Sequence, residues 1–445
     1  MRGKGCGLLL GCLVLAGCGG SDTRHDLRDR PGLDGFLSGY VERGAYPFLY
    51  ARLEDQAGNL IYEHSAANPA LLEGPPLDGQ TWFRIWSMSK LVTISVVMDL
   101  VEDGVLRLDD PVARYIPEFA SLKVATGPAG ENLAQVAGTL YGPSGPAESA
   151  AAETCPLPLV DARPGMTVAD LIHHRAGFYY GITRVKCLDE LFLKEDLTQA
   201  KSSDDLILRL SRLPLIQQPG EDYFYGTGTT VLGLVAERAT GKPLATLVEE
   251  RLTGPASIEG LQYGLPDGVA LLPRVTGDGG TLRVFNGEEP ELFGAGVPMY
   301  SREYPLNLGG EGMVATADGY ADFLRLILAR GTLNGHRLLE EATITDMTSP
   351  HTLTDNPAGY NGYNLWVNNG RLPDGRQGQG GLWIGGGYEG TQFWIDPDRG
   401  FVGVVMTQVE APPPAASGFI EAFREAVYDR LLVDGQPVRP ESAAD

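Results

Sequence analysis

The sequence predicts an α+β fold: an antiparallel sheet contributed by both ends of the chain, flanked by helices, with a mainly helical lobe inserted between. Three observations carry this. Apolar runs at residues 48–53 and 60–64 flank the turn-forming stretch 55–58, which reads as a hairpin near the start. The segment GTQFWIDPDRGFVGVVMTQ, residues 390–408, sets two β-rich runs around Asp396-Pro397-Asp398-Arg399-Gly400, a second hairpin near the end. Between them, helical patterns recur at residues 167–174, 203–210, 230–239 and 317–329. No internal repeat runs through the chain at a fixed period.

Taken in order, the chain begins MRGKGCGLLLGCLVLAGC, with Arg2 and Lys4 before an apolar run that ends in small residues, the layout of a secretory signal. The run is short for a membrane span. Its end, Leu15-Ala16-Gly17-Cys18, resembles the lipobox of bacterial lipoproteins, in which the cysteine becomes the lipidated first residue. That resemblance implies a lipid anchor on Cys18, with the body at the cell envelope, in the periplasm or outside the cell. A plain signal peptide with Cys18 a spare thiol is the other reading. Residues 19–32 read as a flexible tether, 33–435 as the folded domain with its helical lobe over 87–305, and 436–445 as a disordered tail.

Within the domain, residues 33–42 carry a short helical pattern. Residues 87–104 are apolar nearly all round and close on Gly104, as a core helix with a glycine beyond its C-terminus would. Residues 125–153, rich in Gly, Ala, Pro and Ser, read as a surface loop or insertion. Residues 418–432 form a last amphipathic helix. A hydrophobic fraction of 43% over 445 residues is enough for a large core. The net charge of -22 is spread along the chain and argues against nucleic acid as a partner. An oxidising compartment permits a disulfide between Cys155 and Cys187; two separate buried thiols are the alternative.

The chemistry centres on Ser87 and Lys90. A serine three residues before a lysine at a helix start shares its face, so the amine can ease loss of the hydroxyl proton. Of seven lysines only Lys90 has a serine three residues earlier, and it lies on an otherwise apolar helix, where an idle lysine is expensive. A helix start also aims backbone N–H groups at a developing oxyanion, the N–H of Ser87 among them. Other chemistries lack their parts. There is no Gly-x-Ser-x-Gly elbow, no His-Glu-x-x-His and no nucleotide-binding glycine loop, and His173-His174 are adjacent, as a structural pair at a helix end would be. Neither a metal nor another cofactor is expected.

Ser87-Met88-Ser89-Lys90, then Leu171-Ile172-His173-His174-Arg175-Ala176-Gly177, then Pro219-Gly220 through Tyr225 to Leu232-Gly233, then Gly309-Gly310-Glu311-Gly312-Met313, follow one another in an order that resembles the class C β-lactamase-like serine hydrolases. That superfamily includes penicillin-binding DD-peptidases and family VIII carboxylesterases. The resemblance implies the β-lactamase/DD-peptidase fold and a tyrosine beside the nucleophile as general base or proton shuttle. Tyr225 matches by its spacing to Gly233, with Tyr223 the competitor, and is expected to take the Ser87 proton with its pKa lowered by nearby Lys90. Thr227 stands where the β-lactamases have asparagine, so the resemblance implies a substrate contact for it, and the family VIII spacing fits better. By the same resemblance Gly385, Gly386 and Gly387 occupy the substrate-facing strand where β-lactamases carry a lysine, and the N–H of Tyr388 becomes the second oxyanion donor. Without that cation, an anionic substrate loses its usual partner, while a neutral ester needs none. The expected activity is hydrolysis of a small ester or amide, foremost a carboxylic ester. A β-lactamase or DD-peptidase, or an inactive envelope-binding protein of the same fold, are the alternatives.

Overall fold

The computed structural model describes residues 23–137, 155–286, 300–352, 359–371 and 376–439. Strand β1 (His25–Leu27) precedes helix α1 (Arg30–Glu42). Asp29 caps this helix by accepting from the Gly32 N–H, and Pro31 sits in the first turn, where its missing N–H breaks no bond. Strands β2 (Phe48–Asp55) and β3 (Leu60–Ala67) form the first hairpin, with the Asp55 carboxylate accepting from the backbone and side-chain N–H groups of Asn59. Strand β4 (Trp82–Arg84) leads to helix α2 (Ser89–Glu102), and Gly104 follows at φ 70°, the left-handed position that glycine takes without strain.

Helices α3 (Val168–Ile172), α4 (Ser203–Arg212) and α5 (Gly228–Thr240) belong to the inserted lobe. Strand β5 (Met313–Thr316) pairs with β4 and with Leu261–Tyr263, then runs into α6 (Ala317–Leu328). Strands β6 (Trp383–Gly386), β7 (Gln392–Asp396) and β8 (Phe401–Met406), helix α7 (Phe419–Tyr428) and strand β9 (Leu431–Val433) complete the chain.

The central sheet has seven strands in the order Tyr360–Asn361, Trp366–Val367, β6, β7, β8, β2, β3, with each neighbouring pair antiparallel. The two ends of the chain meet at β8 and β2, with Phe401 opposite Asp55 and Met406 opposite Tyr50. Both faces are buried, and the period of two divides them. Leu49, Ala51 and Leu53 join the core beneath α1 and α7, whereas Phe48 and Tyr50 join the larger core with α2, α5 and α6. The sheet from both termini, flanked by helices, is the architecture the sequence predicts.

Three boundaries differ from the sequence expectation. β1 pairs with β9, His25 opposite Val433, so residues 25–32 are part of the fold rather than tether. The last helix stops at Tyr428 instead of 432, and Gln436–Pro437 pairs back onto β9, so the supposed tail is structured at its start. Strands this short carry no readable period, and β1 and β9 lie about 400 residues apart in sequence. The glycine- and alanine-rich stretch is also more than a surface loop. Lys123–Ala125 pairs with Leu159–Asp161, and Leu133 and Ala137 are buried; residues 138–153 lie outside the described residues. Cys155 and Cys187 are bonded, their Cα atoms 5.7 Å apart. Cys18 and residues 440–445 lie outside the described residues, among which no helix is long and apolar enough to cross a membrane.

Candidate active site

The turn between β4 and α2 presents Ser87. Trp86 adopts φ 45°, a left-handed conformation that strains a bulky residue by about 1–3 kcal/mol. Packing holds it there. Its buried ring meets Tyr388 edge-on at 5.4 Å and Tyr300 at 6.4 Å. On the following residues, the Tyr320 hydroxyl donates to Met88 O at 3.1 Å, and the Ser89 hydroxyl accepts from the Met313 N–H at 3.2 Å.

Two side chains converge on the Ser87 hydroxyl, Lys90 Nζ at 3.1 Å and the Tyr225 hydroxyl at 2.7 Å. Lys90 is fully buried, and its remaining hydrogen bonds go to Gly310 O at 2.8 Å and the Tyr180 hydroxyl at 2.9 Å. A buried ammonium needs a counter-charge, and Glu311 supplies one 3.9 Å away. The Glu311 carboxylate accepts from the Thr230 hydroxyl at 2.8 Å and from Tyr180 at 3.3 Å. Burial pushes the Lys90 amine below the usual lysine range while Glu311 pulls it back up. Burial also raises the Glu311 carboxyl, against Lys90 and its two hydroxyl donors.

Tyr225 departs from expectation. Its phenol is raised well above the usual value by burial, with the Ser87 hydrogen bond opposing and Glu311 adding to the rise, so proximity to Lys90 does not lower it. Lys90 Nζ stands 5.0 Å from the centre of the Tyr225 ring, and both groups reach the same Ser87 hydroxyl. Between these two side chains, the group with the depressed pKa is the lysine.

His174 follows the end of α3, where a structural role was expected, and it also backs the tyrosine. Its ring centre lies 4.7 Å from that of Tyr225, Nε2 is 3.1 Å from Asn364 Oδ1, and Nδ1 accepts from the Gly226 N–H at 3.4 Å. These two contacts fit one neutral tautomer, and burial first, then the Lys90 charge, pushes His174 down to about 3. Tyr223 packs edge-on against Trp366 and His174 at 5.9 Å and 5.6 Å, while the hydroxyl on Ser87 is that of Tyr225. Thr227 is buried and its hydroxyl donates to Tyr179 O at 3.4 Å, so the substrate contact expected of it is not what this geometry offers.

The strand edge β6 passes beside the serine turn. A Cβ on Gly387 would stand 2.5 Å from Ile85 O, and one on Gly385 would lie 2.5 Å from the Phe393 ring. Neither position can carry a side chain without moving its neighbour. Gly387 N–H then bonds Thr391 O, and the tight turn holds Tyr388, whose hydroxyl donates to Glu410 at 2.5 Å. Sequence reading missed Tyr180, Glu311, Thr230 and His174 as parts of the site; the available signal was Glu311 among glycines, where a buried lysine elsewhere requires an anion. A cavity of about 730 Å³ lined by Glu249, Gln262 and Arg302, among others, includes none of these residues, so reactive geometry rather than cavity size locates the site.

A family profile described as Beta-lactamase matches residues 56–426. An uncharacterized protein of Mycobacterium tuberculosis is 29% identical over 302 residues, covering 67% of this chain and 66% of that protein, just under two thirds of its length. Esterase EstB of Burkholderia gladioli is 26% identical over 84% of this chain and 88% of its own. Among solved structures, EstCE1, a hydrolase with promiscuous acyltransferase activity, superposes with a TM-score of 0.67 at 21% identity, over 89% of this chain and 97% of that one. Simvastatin synthase LovD of Aspergillus terreus also gives 0.67, at 19% identity, over 90% and 98%. The profile spans the serine turn, the tyrosine and the glycine strand in one run, so the chain belongs to the beta-lactamase family, within its superfamily of serine hydrolases.

Proposed function

We propose that this chain is a serine hydrolase that cleaves neutral carboxylic esters through a Ser87 acyl-enzyme. The observation that carries the reading is the convergence of Lys90 and Tyr225 on one hydroxyl, at 3.1 and 2.7 Å. Neutral Lys90 accepts the Ser87 proton as Oγ bonds to the substrate carbonyl carbon. The carbonyl electron pair becomes an oxyanion held by the N–H groups of Ser87 and Tyr388. Collapse breaks the ester C–O bond. Tyr225, neutral because its pKa is raised, gives its proton to the departing alkoxide and regains one from Lys90. Water then attacks the acyl group with the same groups working in reverse.

The bare glycine strand supports neutral substrates, since Phe393 and Ile85 leave no space there for the cation that an anionic substrate would need. The esterases and acyltransferases among the relatives agree with an acyl-enzyme. By its resemblance to a lipobox, Cys18 anchors this body to the bacterial envelope. The test is a panel of p-nitrophenyl esters of graded acyl length set beside a chromogenic cephalosporin. Turnover of the esters with little of the cephalosporin is expected; the reverse preference would transfer the assignment to a β-lactamase or DD-peptidase.

A further inference from the structure

Glu311 stands 3.9 Å from Lys90 Nζ, on a loop fixed from several directions. The Thr230 hydroxyl accepts from the Gly310 N–H at 3.2 Å and donates to Glu311, and the Tyr300 hydroxyl donates to Glu311 O at 3.2 Å. Tyr180 bridges the pair, its hydroxyl 2.9 Å from Lys90 Nζ and 3.3 Å from Glu311 Oε2. A Cβ on neighbouring Gly310 would stand 3.2 Å from Lys90 Nζ, so the loop backbone approaches the amine closely. Nothing in acyl transfer itself requires a second charge here. A fully buried carboxylate is costly, and its place beside the only buried lysine amine of the site is its compensation.

We propose that Glu311 is the positioning residue that holds the Lys90 proton, deciding at which pH the amine is free to receive the proton of Ser87. The inference rests on the reading of Ser87 as nucleophile. While Lys90 is an ammonium, Glu311 stabilises it across 3.9 Å; once the amine is neutral, the remaining anion draws the serine proton toward it. The other groups facing the pair are Tyr180, Tyr225, His174, Tyr263, Tyr300 and Tyr304. Burial pushes Tyr225, Tyr263, Tyr300 and Tyr304 up and His174 down, so these five are uncharged near neutral pH.

The sign follows. Removing the carboxylate charge removes the attraction that raises Lys90, so its proton leaves at lower pH. The experiment measures the second-order rate of Ser87 labelling by a fluorophosphonate probe from acid to alkaline pH, in the wild type, Glu311→Gln and Thr230→Val. The acid limb of Glu311→Gln is expected about one pH unit or more below that of the wild type. Thr230→Val, which keeps the carboxylate but removes a donor that favours its charged form, moves the limb the same way by less. If Glu311→Gln fails to fold, Thr230→Val decides alone: a shifted limb supports the inference and an unmoved limb overturns it. A Glu311→Gln limb that coincides with the wild type, whatever the height of its plateau, also overturns it while leaving Ser87 as nucleophile. No labelling of Ser87 in the wild type overturns both.

Discussion

Beside Ser87 one wall of the site is a set of charged and hydroxyl groups, Lys90, Glu311, Tyr180 and Thr230, whereas the strand edge at Gly385, Gly386 and Gly387, beside the serine turn, bears no side chain. The first wall is deep and every group in it has a partner. The second is narrow because Phe393 and Ile85 already occupy the space a side chain would use. The contrast separates two tasks. In the proposed hydrolase, proton transfer depends on groups whose charge is governed by burial, and substrate choice depends on a strand edge that carries no cation at Gly385, Gly386 and Gly387.

Breaking the charged wall has the largest expected effect. Lys90→Ala should lower kcat/KM for a p-nitrophenyl ester by roughly 10³-fold or more, within the range of a lost general base, with the fold checked by circular dichroism. In the wild type, kcat/KM should rise with pH along a limb below the usual lysine range, because burial depresses Lys90 and the neutral amine is the reactive form. A limb at the ordinary lysine position would assign the base elsewhere. Tyr225→Phe, which keeps the ring beside His174 but removes the hydroxyl on Ser87, should cost on the order of 10²-fold in kcat with KM little changed. Gly387→Ala sharpens the comparison from the bare wall. Its Cβ would press on Ile85 O and displace the turn that carries Tyr388, lowering kcat by roughly tenfold, a part of what loss of one oxyanion donor costs. An unchanged kcat would remove the Tyr388 N–H from the mechanism.

Sequence alone exposed Ser87 and Lys90 because only three positions separate them at a helix start, and Tyr225 through the resemblance to the family VIII segment, whose spacing to a glycine matches that of Tyr225 to Gly233. The central hairpins were legible for the same reason: alternation over several residues and turn chemistry between. Tyr180 and Glu311 were not. They reach Lys90 from 90 and about 220 positions away, and only the packing of α2 against the segment after α3 and the loop before β5 brings them together. Glu311 stood in view within Gly309-Gly310-Glu311-Gly312-Met313 as a landmark of order, and nothing local marks it as a counter-charge. The direction of the Tyr225 shift was hidden too, since it depends on how deeply the fold buries the phenol. β1 and β9 escaped because three residues cannot declare a period, and each is a strand only because the other is beside it.

The central claim is that Ser87 is the nucleophile that Lys90 and Tyr225 activate. Intact-mass measurement after incubation with a fluorophosphonate probe tests it most directly. A single phosphonyl adduct is expected on the wild-type protein, mapped by peptide sequencing to Ser87, and none on folded Ser87→Ala. An adduct of the same yield on Ser87→Ala, or one mapped to another residue, would contradict it.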